Sequence, residues 1–421
     1  MPTAELLVRQ ARLLSGEVTS LLIADGRIAA LGGEAESRFR DGDDPSTDGR
    51  TVLDVEGRLV TPPMVNAHMH LDKVRTLGRA GEEALTAYTG SGMAGAMTSI
   101  ELASAVKRGY DRSWIIPNVR GALSDAVRHG TLHVQAFVDV DTTAGLEGME
   151  AVLTVREEFR GLVDVQVVAF PQDGLLRDAG AAELCEEAMR LGADVVGGIP
   201  WIEHSDRDAR AHVDWACRLA QTTGSRVAML VDDAGDANLR TTEMLAEGMI
   251  DHDLVGRAVA AHARALALYP TPTLLRLLGL AQRAGLGFVA DPHTGALHLP
   301  VREALAHGLP VALGQDDIED AYYPFGRHNM LEVAFLGAHL LGFLSAADQR
   351  LLIELVTVRA ARVLGLPDYG LIMGGPGDLC VHDHDRLLDL LAHHAPPRWV
   401  VRAGRIIAET TTTSRVVLPG E

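Results

Sequence analysis

The feature that most restricts the fold of this 421-residue chain is the alternation of short apolar runs with longer segments of helical period between residues 58 and 365. Runs rich in β-branched residues predict buried strands, and the segments between them carry Ala, Leu, Glu and Arg at helical spacing. Eight strands, each followed by a helix, match a TIM (β/α)8 barrel, which is an α/β fold. The predicted strands are 58–65, 132–140, 163–170, 193–199, 226–231, 257–262, 286–291 and 309–314.

The segments between these runs predict the helices that cover a barrel. Three of them, at 181–193, 210–224 and 271–285, end at or next to a glycine, the residue favoured at a helix C-cap. A doubly wound parallel sheet would give the same alternation of strand and helix. It would not readily explain polar clusters after several different strands, whereas a barrel places every strand end on one face.

Both ends of the chain have the pattern of a second, smaller domain. Residues 1–60 and 366–421 contain short apolar runs separated by tight turns such as Asp25-Gly26. Such strands and turns predict a small β-sandwich formed from both termini. The polar stretch 34–49 is typical of an exposed loop. The predicted domains are therefore 1–60 with 366–421 as the sandwich, and 61–365 as the catalytic barrel.

The charge and hydropathy of the chain exclude two classes of partner. The formal net charge is −19, whereas binding nucleic acid normally requires a concentrated Lys and Arg surface, so we expect a small-molecule substrate and no nucleic acid. No window approaches the run of about 18 apolar residues that spans a bilayer, so we expect no membrane partner. The apolar segment 331–344 indicates a barrel helix that packs inward or forms a homo-oligomer contact.

Cysteine usage predicts the cellular compartment. Cys185, Cys217 and Cys380 are widely separated and odd in number, which does not suit a disulfide framework. The polar-interrupted opening of the chain does not have the pattern of a signal segment. We therefore expect a cytoplasmic location.

Candidate metal ligands follow the first and last predicted strands of the barrel. His68 and His70 alternate on an extended segment, so both imidazoles can reach one divalent ion. Asp316, after the eighth strand, could ligate the same ion and take a proton from water, with Asp317 facing the substrate. His262 closes the sixth strand and could contact the attacking water or a substrate oxygen. Acidic turns and strand-end histidines are each common without function. The evidence for a metal site is therefore that all of these residues are expected on the same face of the barrel.

Four segments of the chain resemble the cytosine deaminase-like branch of the amidohydrolase superfamily. They are PPMVNAHMHLDK (62–73), AFPQDG (169–174), LGADVVGGIP (191–200) and GQDDIEDAYYPFGRHNMLEVAFLGAHL (314–340). The resemblance covers most of the barrel and implies a TIM barrel with a terminal β-sandwich, the fold that the strand pattern also predicts. It further implies hydrolysis of a C–N bond in a cyclic amidine or N-heterocycle by metal-activated water.

The resemblance also assigns substrate-binding roles. Gln172 matches a family residue that hydrogen-bonds the amide edge of the substrate, and Phe170 would lie beside it. Asp317 and Tyr322 fall where the family orients and stacks the heterocycle, although the bacterial cytosine deaminases have Trp in place of Tyr322. Lys73 could pair with a neighbouring carboxylate, but a lysine after a strand is usually solvated.

The fifth strand departs from the family pattern. The resemblance implies one divalent metal, zinc or iron, at His68, His70 and Asp316 together with a strand-five histidine. The family reads roughly Val-His-Cys-Asp-Glu there, whereas this chain reads Met-Leu-Val-Asp-Asp at 229–233. Leu230, which cannot coordinate metal, stands at the ligand position. Asp233, one methylene shorter than Glu, stands at the acid/base position.

Two outcomes for the metal follow, and with them more than one function. A neighbour such as His262, Asp232 or His204 could replace the missing ligand, or the site holds no metal. With metal, we expect deaminase-type hydrolysis with Asp316, His262 and Asp233 as catalytic residues. Without metal, the same groups suit an acid/base lyase, cyclase or isomerase, because histidine titrates near neutral pH. A non-catalytic binder is a third and weaker hypothesis, since the pocket keeps the groups for chemistry.

Overall fold

The computed structural model describes residues 5–40, 50–81, 85 and 101–417. The chain divides into two compact units. One draws its described residues from Met1–Pro63, Val127–Gly130 and Gly370–Glu421, and the other from Met64–Ala126 and Thr131–Tyr369. The domain limits predicted from the sequence stay predictions.

The strands of the described chain are short, as expected for a barrel and a small sandwich. In chain order they are β1 (Glu5–Arg12), β2 (Val18–Ala24), β3 (Arg27–Leu31), β4 (Arg50–Asp54), β5 (Val60–Thr61), β6 (Met64–Met69), β7 (Thr131–Asp139), β8 (Asp164–Phe170), β9 (Val195–Gly198), β10 (Arg226–Val231), β11 (Ala258–His262), β12 (Gly287–Ala290), β13 (Val311–Leu313), β14 (Leu379–Val381), β15 (Trp399–Arg402) and β16 (Arg405–Glu409).

Helices separate most of these strands. They are α1 (Gly32–Arg40), α2 (Leu77–Ala80), α3 (Arg112–Arg128), α4 (Glu147–Glu158), α5 (Ala181–Leu191), α6 (Asp206–Thr223), α7 (Thr241–Asp251), α8 (Thr271–Ala284), α9 (Val301–Ala306), α10 (Met330–Leu340), α11 (Ala346–Leu355), α12 (Val358–Leu364) and α13 (Leu387–His393). Residues 101–107 are also helical. Short 3-10 helices occupy Pro200–Ile202 and Arg264–Leu268.

Strands β6 to β13 form one eight-stranded sheet in chain order. Neighbouring strands are parallel, and the edge strands β6 and β13 meet at a parallel bridge between Met69 and Asp316. Val65, Phe137 and Val168 are among the fully buried side chains of one core cluster of this sheet. The predicted TIM barrel is confirmed, because a closed parallel sheet of eight strands with intervening helices defines that fold.

The first predicted strand, 58–65, was wrong in its extent. Two elements occupy this region: β5 pairs with β14 in a different sheet, and the barrel strand β6 begins only at Met64. Pro62 and Pro63 lie between them, and proline supplies no N–H for a sheet ladder. His68 therefore lies inside the first barrel strand, and His70 is the first residue after the end of that strand.

The predicted glycine ends of three covering helices are confirmed. Helices α5, α6 and α8 stop at Gly192, Gly224 and Gly285, and each of these residues has a left-handed backbone. The positive φ that ends the helix carries no steric penalty at glycine, which explains why the residue marks these boundaries in the sequence.

The other unit contains two four-stranded sheets, in the orders β3-β2-β1-β4 and β16-β15-β14-β5. Leu6 and Ile23 from the first sheet share a buried core with Val381 and Val401 from the second. Two sheets that bury one common apolar layer form a β-sandwich, so the predicted sandwich from both termini is confirmed.

The interpretation of 34–49 as a loop was wrong for its first part. Residues up to Arg40 belong to α1, and Ala35 and Phe39 are buried in a cluster with Leu7 and Leu22. The two buried residues are four positions apart and so share one helix face, which the surrounding charged residues conceal in the sequence. Residues 41–49 lie outside the described residues.

Helix α10 corresponds to the apolar segment predicted at 331–344. It ends at Leu340, and six of its residues, including Leu331 and Val333, are buried. Leu340 and Leu344 are exposed, so the homo-oligomer contact stays a prediction. Within the part of the chain that the structure describes, every helix is too short or too polar to cross a bilayer.

Candidate active site

The carboxyl ends of the barrel strands surround a cavity. Its wall is lined by His70, Gln172, Ile199, Trp201, Leu230, Asp233, His262, Arg264, Asp316, Asp317 and Tyr322. The site of a TIM-barrel enzyme lies at this end of the barrel, because the strand-to-helix loops there bring side chains from many strands together.

The closure of the barrel brings His68, His70 and Asp316 together. The backbone N–H of Asp316 donates to the carbonyl of His68 over 2.9 Å, and the N–H of His70 donates to the carbonyl of Asp316 over 3.1 Å. The Asp316 Oδ1 atom lies 2.9 Å from Nε2 of His68 and 3.5 Å from Nε2 of His70. The same backbone bonds that join the edge strands therefore fix the relative positions of three candidate ligands.

These three residues are buried, and their charges depend on one another. Burial acts to raise the pKa of Asp316, but the imidazoles of His68 and His262 outweigh it and hold this pKa well below its usual value. Burial, and then the charge of Lys73, lowers the pKa of His70 well below its usual value. Asp316 is therefore ionised and His70 neutral near pH 7, the forms in which these side chains ligate metals.

The donor set fits a divalent metal. One ligand atom from each of His68, His70 and Asp316 lies within 4.8 Å of the others. Two imidazole nitrogens and one carboxylate oxygen are donor types found in catalytic zinc and iron sites, which leave a coordination position open for the reaction.

His262 offers a further imidazole close to this set. Its Nε2 atom lies 3.9 Å from Oδ2 of Asp316, and its Nδ1 atom lies 3.3 Å from Oδ2 of Asp291. His262 and Asp316 both have φ near +60°, at 65° and 62°. Non-glycine residues rarely adopt this left-handed conformation, and where they do the strain often accompanies a functional site.

The other two replacement ligands considered from the sequence lie elsewhere. Asp232 is turned toward the start of α7, where its carboxylate accepts hydrogen bonds from the backbone of Thr241 and Thr242. His204 is exposed. Leu230 lines the cavity wall, so an apolar side chain stands where the resemblance implies a ligand.

Asp233 lies at the cavity wall, and one of its two carboxylate oxygens is paired. Its Oδ1 atom is 2.7 Å from Nε of Arg264 and 3.6 Å from Nδ1 of His262. Among the described residues, no hydrogen bond or ion pair involves Oδ2 of Asp233. This oxygen is therefore the one at which Asp233 could exchange a proton with a ligand.

The environment of Lys73 contradicts the interpretation of this residue as a solvated lysine. It is buried, and its Nζ atom donates to Oε1 of Gln172 over 2.8 Å and lies 2.9 Å from Oδ1 of Asp139. Burial acts to lower the pKa of Lys73, but nearby acidic groups, Asp139 first among them, outweigh it and raise this pKa. The ammonium is thus charged, and it holds Gln172 at the cavity wall.

The remaining predicted substrate-binding residues differ in position. Asp317 and Tyr322 line the cavity, and Oδ2 of Asp317 lies 3.3 Å from Nε2 of His293. Phe170 is fully buried outside the lining, and its ring lies 5.6 Å from that of His70. The substrate contacts of all three stay predictions.

Sequence reasoning missed several residues that build the site. Asp291 ends the seventh predicted strand, as LGFVAD shows, and its position at a strand end could have marked it. Asn66 accepts hydrogen bonds at Oδ1 from the backbone N–H groups of Gln315 and His68, which ties β6 to the end of β13. Trp201 follows β9 and lines the cavity, and no sequence signal distinguished it.

The comparisons with known proteins agree with this geometry. A family model described as the amidohydrolase family matches residues 51–408. The chain is 28% identical over 407 residues to the N-isopropylammelide isopropyl amidohydrolase of Pseudomonas sp. (strain ADP), covering 96% of this chain and 97% of the relative. It is 26% identical over 374 residues to the pterin deaminase of Rhizobium rhizogenes, covering 84% and 82%.

A solved structure is similar over the whole chain. The 5-methylcytosine deaminase of Klebsiella pneumoniae, liganded with 5-fluorocytosine, superposes with a TM-score of 0.87 at 28% identity. The match covers 99% of this chain and 100% of that protein.

Proposed function

Because this chain belongs to the amidohydrolase family, we propose that it releases ammonia or an amine from an N-heterocycle by hydrolysing a C–N bond. The chain is a hydrolase of C–N bonds other than peptide bonds. Relatives named for N-isopropylammelide, pterin and 5-methylcytosine support a pyrimidine, triazine or pterin-like ring as the substrate. We propose one divalent metal, zinc or iron, as the cofactor.

The observation that carries this proposal is the meeting of His68, His70 and Asp316 beside one cavity. A divalent ion held there would activate water as a Lewis acid at neutral pH. We propose His262 as the fourth donor in place of the residue that Leu230 supplants, since it is the closest further imidazole to Asp316.

The proton transfers fall to two carboxylates. In hydrolysis, water gives its oxygen to the ring carbon and a proton to the departing nitrogen. Asp316 is ionised and can take a proton from the attacking water. Asp233, whose Oδ2 makes no hydrogen bond within the described chain, can pass a proton to the leaving nitrogen through that oxygen. Arg264 keeps the carboxylate of Asp233 oriented.

One observation favours a second candidate. Leu230 offers the cavity an apolar side chain where a ligand would complete a three-histidine site. In the absence of metal, His262 lies between Asp291 and Asp316, an arrangement that suits general acid/base catalysis by a lyase, cyclase or isomerase.

The two candidates are separated by metal content and ammonia release. The protein is purified without added metal or chelator, its zinc and iron are measured, and amino-substituted pyrimidines, triazines and pterins are screened for ammonia or amine release. We expect a stoichiometric amount of metal and release from at least one ring class. The proposal fails if the protein holds no metal after incubation with zinc and releases no amine from any ring.

A matched pair of variants shows that the chemistry belongs to this site. Asp316→Asn keeps the size of the side chain and removes its charge, so we expect loss of both metal and amine release. Asp383→Asn makes the same change in the other unit, at a half-exposed carboxylate paired with Arg58. This control should retain both properties.

A further inference from the structure

Asp291 is a buried carboxylate next to the candidate metal ligands. It directly follows β12, and its side chain has no exposed surface. Neither Oδ1 nor Oδ2 has a hydrogen-bond partner among the described residues. A buried carboxylate without hydrogen bonds destabilises a fold, so its presence at this position points to a role in the site.

The surrounding backbone fixes the position of this carboxylate. The Asp291 carbonyl accepts from the Thr294 N–H over 3.2 Å and from the Thr294 hydroxyl over 2.8 Å. A Cβ atom at position 314 would lie only 2.2 Å from Oδ1 of Asp291. Gly314 does not have a positive φ, so its backbone conformation alone does not require glycine. The close approach of the Asp291 carboxylate does require it.

Asp291 faces one nitrogen of the His262 imidazole, and Asp316 faces the other. Nδ1 of His262 lies 3.3 Å from Oδ2 of Asp291, and Nε2 lies 3.9 Å from Oδ2 of Asp316. Nδ1 is itself buried and without a hydrogen-bond partner in the part of the chain that the structure describes. A shift of a few tenths of an ångström would bring Nδ1 and Oδ2 to the length of a charge-assisted hydrogen bond, about 2.7–2.9 Å.

A second carboxylate near Nδ1 is less suited to accept from it. Oδ1 of Asp233 lies 3.6 Å from Nδ1 of His262, but the same oxygen is 2.7 Å from Nε of Arg264. A guanidinium at that distance neutralises most of the charge that would attract the imidazole N–H. Asp291 is nearer, and His262 is the one basic side chain of the described chain within 4.0 Å of its carboxylate.

Resting on the proposed function, in which His262 is the fourth donor, we infer that Asp291 is a positioning residue that acts on the metal through His262. Its carboxylate accepts the Nδ1–H of the imidazole and leaves the lone pair on Nε2, the nitrogen that faces Asp316. Metal-ligating histidines commonly donate their other ring N–H to a carboxylate, which fixes the tautomer and strengthens the imidazole as a ligand. Asp291 thereby supports the donor that replaces the imidazole missing at Leu230.

Direct ligation by Asp291 is the alternative arrangement. One ligand atom from each of His68, His262 and Asp291 lies within 4.8 Å of the others. However, neither His68 nor Asp291 belongs to the cavity wall formed by the described residues, whereas His70 and Asp316 line it. An ion held by the inner set would lack the open coordination position that a catalytic ion needs. The position beside Nε2 of His262 therefore suits the proposed hydrolysis better.

A double-mutant cycle on zinc affinity tests the inference, with affinities measured by competition with a chromogenic chelator. Asp291→Asn removes the charge at nearly constant size and should weaken zinc binding by about 10–100-fold. In the His262→Gln background the same change should cost no more than about twofold, because no imidazole remains to be positioned. Equal losses in the two backgrounds would overturn the inference, since a direct ligand or a general loss of structure acts independently of His262. An unchanged affinity in Asp291→Asn would overturn it as well.

Two further variants control the cycle. Asp251→Asn makes the same change at an exposed position at the end of α7 and should bind zinc as the wild type does. Urea unfolding of each metal-free variant shows whether it is folded. If Asp291→Asn does not fold, Asp291→Ala, which leaves room for water in place of the carboxylate, enters the same cycle with the same expected coupling.

Failure here is distinguishable from failure of the proposed function. A protein that binds zinc and releases amine, but loses equal affinity in the two backgrounds, keeps the proposed reaction and loses this inference. A protein that shows the coupling between Asp291 and His262, yet releases no amine from any ring, does the reverse. A protein that holds no metal after incubation with zinc overturns both.

Discussion

The imidazole Nε2 of His262 lies 3.9 Å from Oδ2 of Asp316, and both residues have a left-handed backbone, His262 at the end of β11 and Asp316 beyond β13. This relationship makes His262 the group best placed to complete a metal site that lacks the strand-five imidazole. Whether it ligates or only exchanges protons is open to direct measurement.

Replacing His262 by Gln distinguishes these roles. Each ligand supplies part of a binding free energy of about 10–16 kcal/mol, so loss of one of four should weaken zinc binding by about a hundredfold. Competition with a chromogenic chelator gives the affinity. His204→Gln, at an exposed position, is the matched control. Unchanged affinity in His262→Gln would restrict His262 to proton transfer.

Replacing Leu230 by His should strengthen metal binding by a similar factor. Leu230 pairs in register with Ala261 and lines the cavity, so an imidazole there projects toward the same space. The measurement is the zinc affinity of the variant beside that of Leu230→Met, which keeps an apolar side chain of similar volume. Equal affinities in the two variants would show that position 230 is not a ligand position in this chain.

Replacing Asp232 by Ala should destabilise the protein without removing metal. Its buried carboxylate accepts from the Thr241 N–H at 2.6 Å, the Thr241 hydroxyl at 2.7 Å and the Thr242 N–H at 3.1 Å. Loss of these bonds at the start of α7 should lower the free energy of unfolding by about 2–4 kcal/mol. Urea titration measures this, with Asp251→Ala, at an exposed position at the end of α7, as the control. A loss of metal with unchanged stability would instead make Asp232 a ligand.

Acid should destabilise the unit that contains His382. Burial, and then His384, lowers the pKa of His382 to about 3, and its Nε2 atom is 2.9 Å from the Thr61 hydroxyl. The unfolded chain, with a histidine pKa of about 6.5, binds this proton first, so stability present above that pH is lost as the pH falls toward 3.

His382→Gln keeps a hydrogen-bonding partner for Thr61 and removes the titration. Between about pH 7 and pH 4.5, it should therefore lose about 2.5 kcal/mol less unfolding free energy than the wild type. Urea unfolding at the two pH values checks the difference. His393→Gln, at an exposed site, should follow the wild-type profile, and an equal loss in His382→Gln would contradict the assignment.

The barrel could be predicted because a local run of apolar residues marks most of its strands. Strand β10 has the predicted limits, 226–231, since a branched apolar run there lies between polar residues. The first strand could not be placed as well, because the run 58–65 is continuous in hydrophobicity while Pro62 and Pro63 divide it between two sheets. Helix α1 could not be predicted because its apolar signal is too weak. Only Ala35 and Phe39 of its residues enter a core.

The candidate site could be predicted only for residues whose position follows from the order of the barrel strands. His68, His70 and Asp316 meet as expected because consecutive closure of the sheet brings the first and last strands together. The environment of Lys73 depends on Asp139 and Gln172, whose positions follow from the fold and not from neighbouring residues. Asp232 and Asp233 are adjacent in sequence yet serve a helix start and a cavity wall, because the chain leaves β10 at Val231 and turns at Asp232, whose φ is 46°.

The undisturbed pairing of β10 has a consequence for how such proteins diversify. Met229 is in register with both flanking strands, and Leu230 is in register with β11. The backbone that would carry an imidazole at position 230 is thus present without it, and two of the six leucine codons become a histidine codon by one base change. Metal affinity in a lineage can therefore change at a single position while the scaffold is inherited intact. Transferring a reaction between proteins of this family on overall similarity is accordingly unsafe until that position has been read.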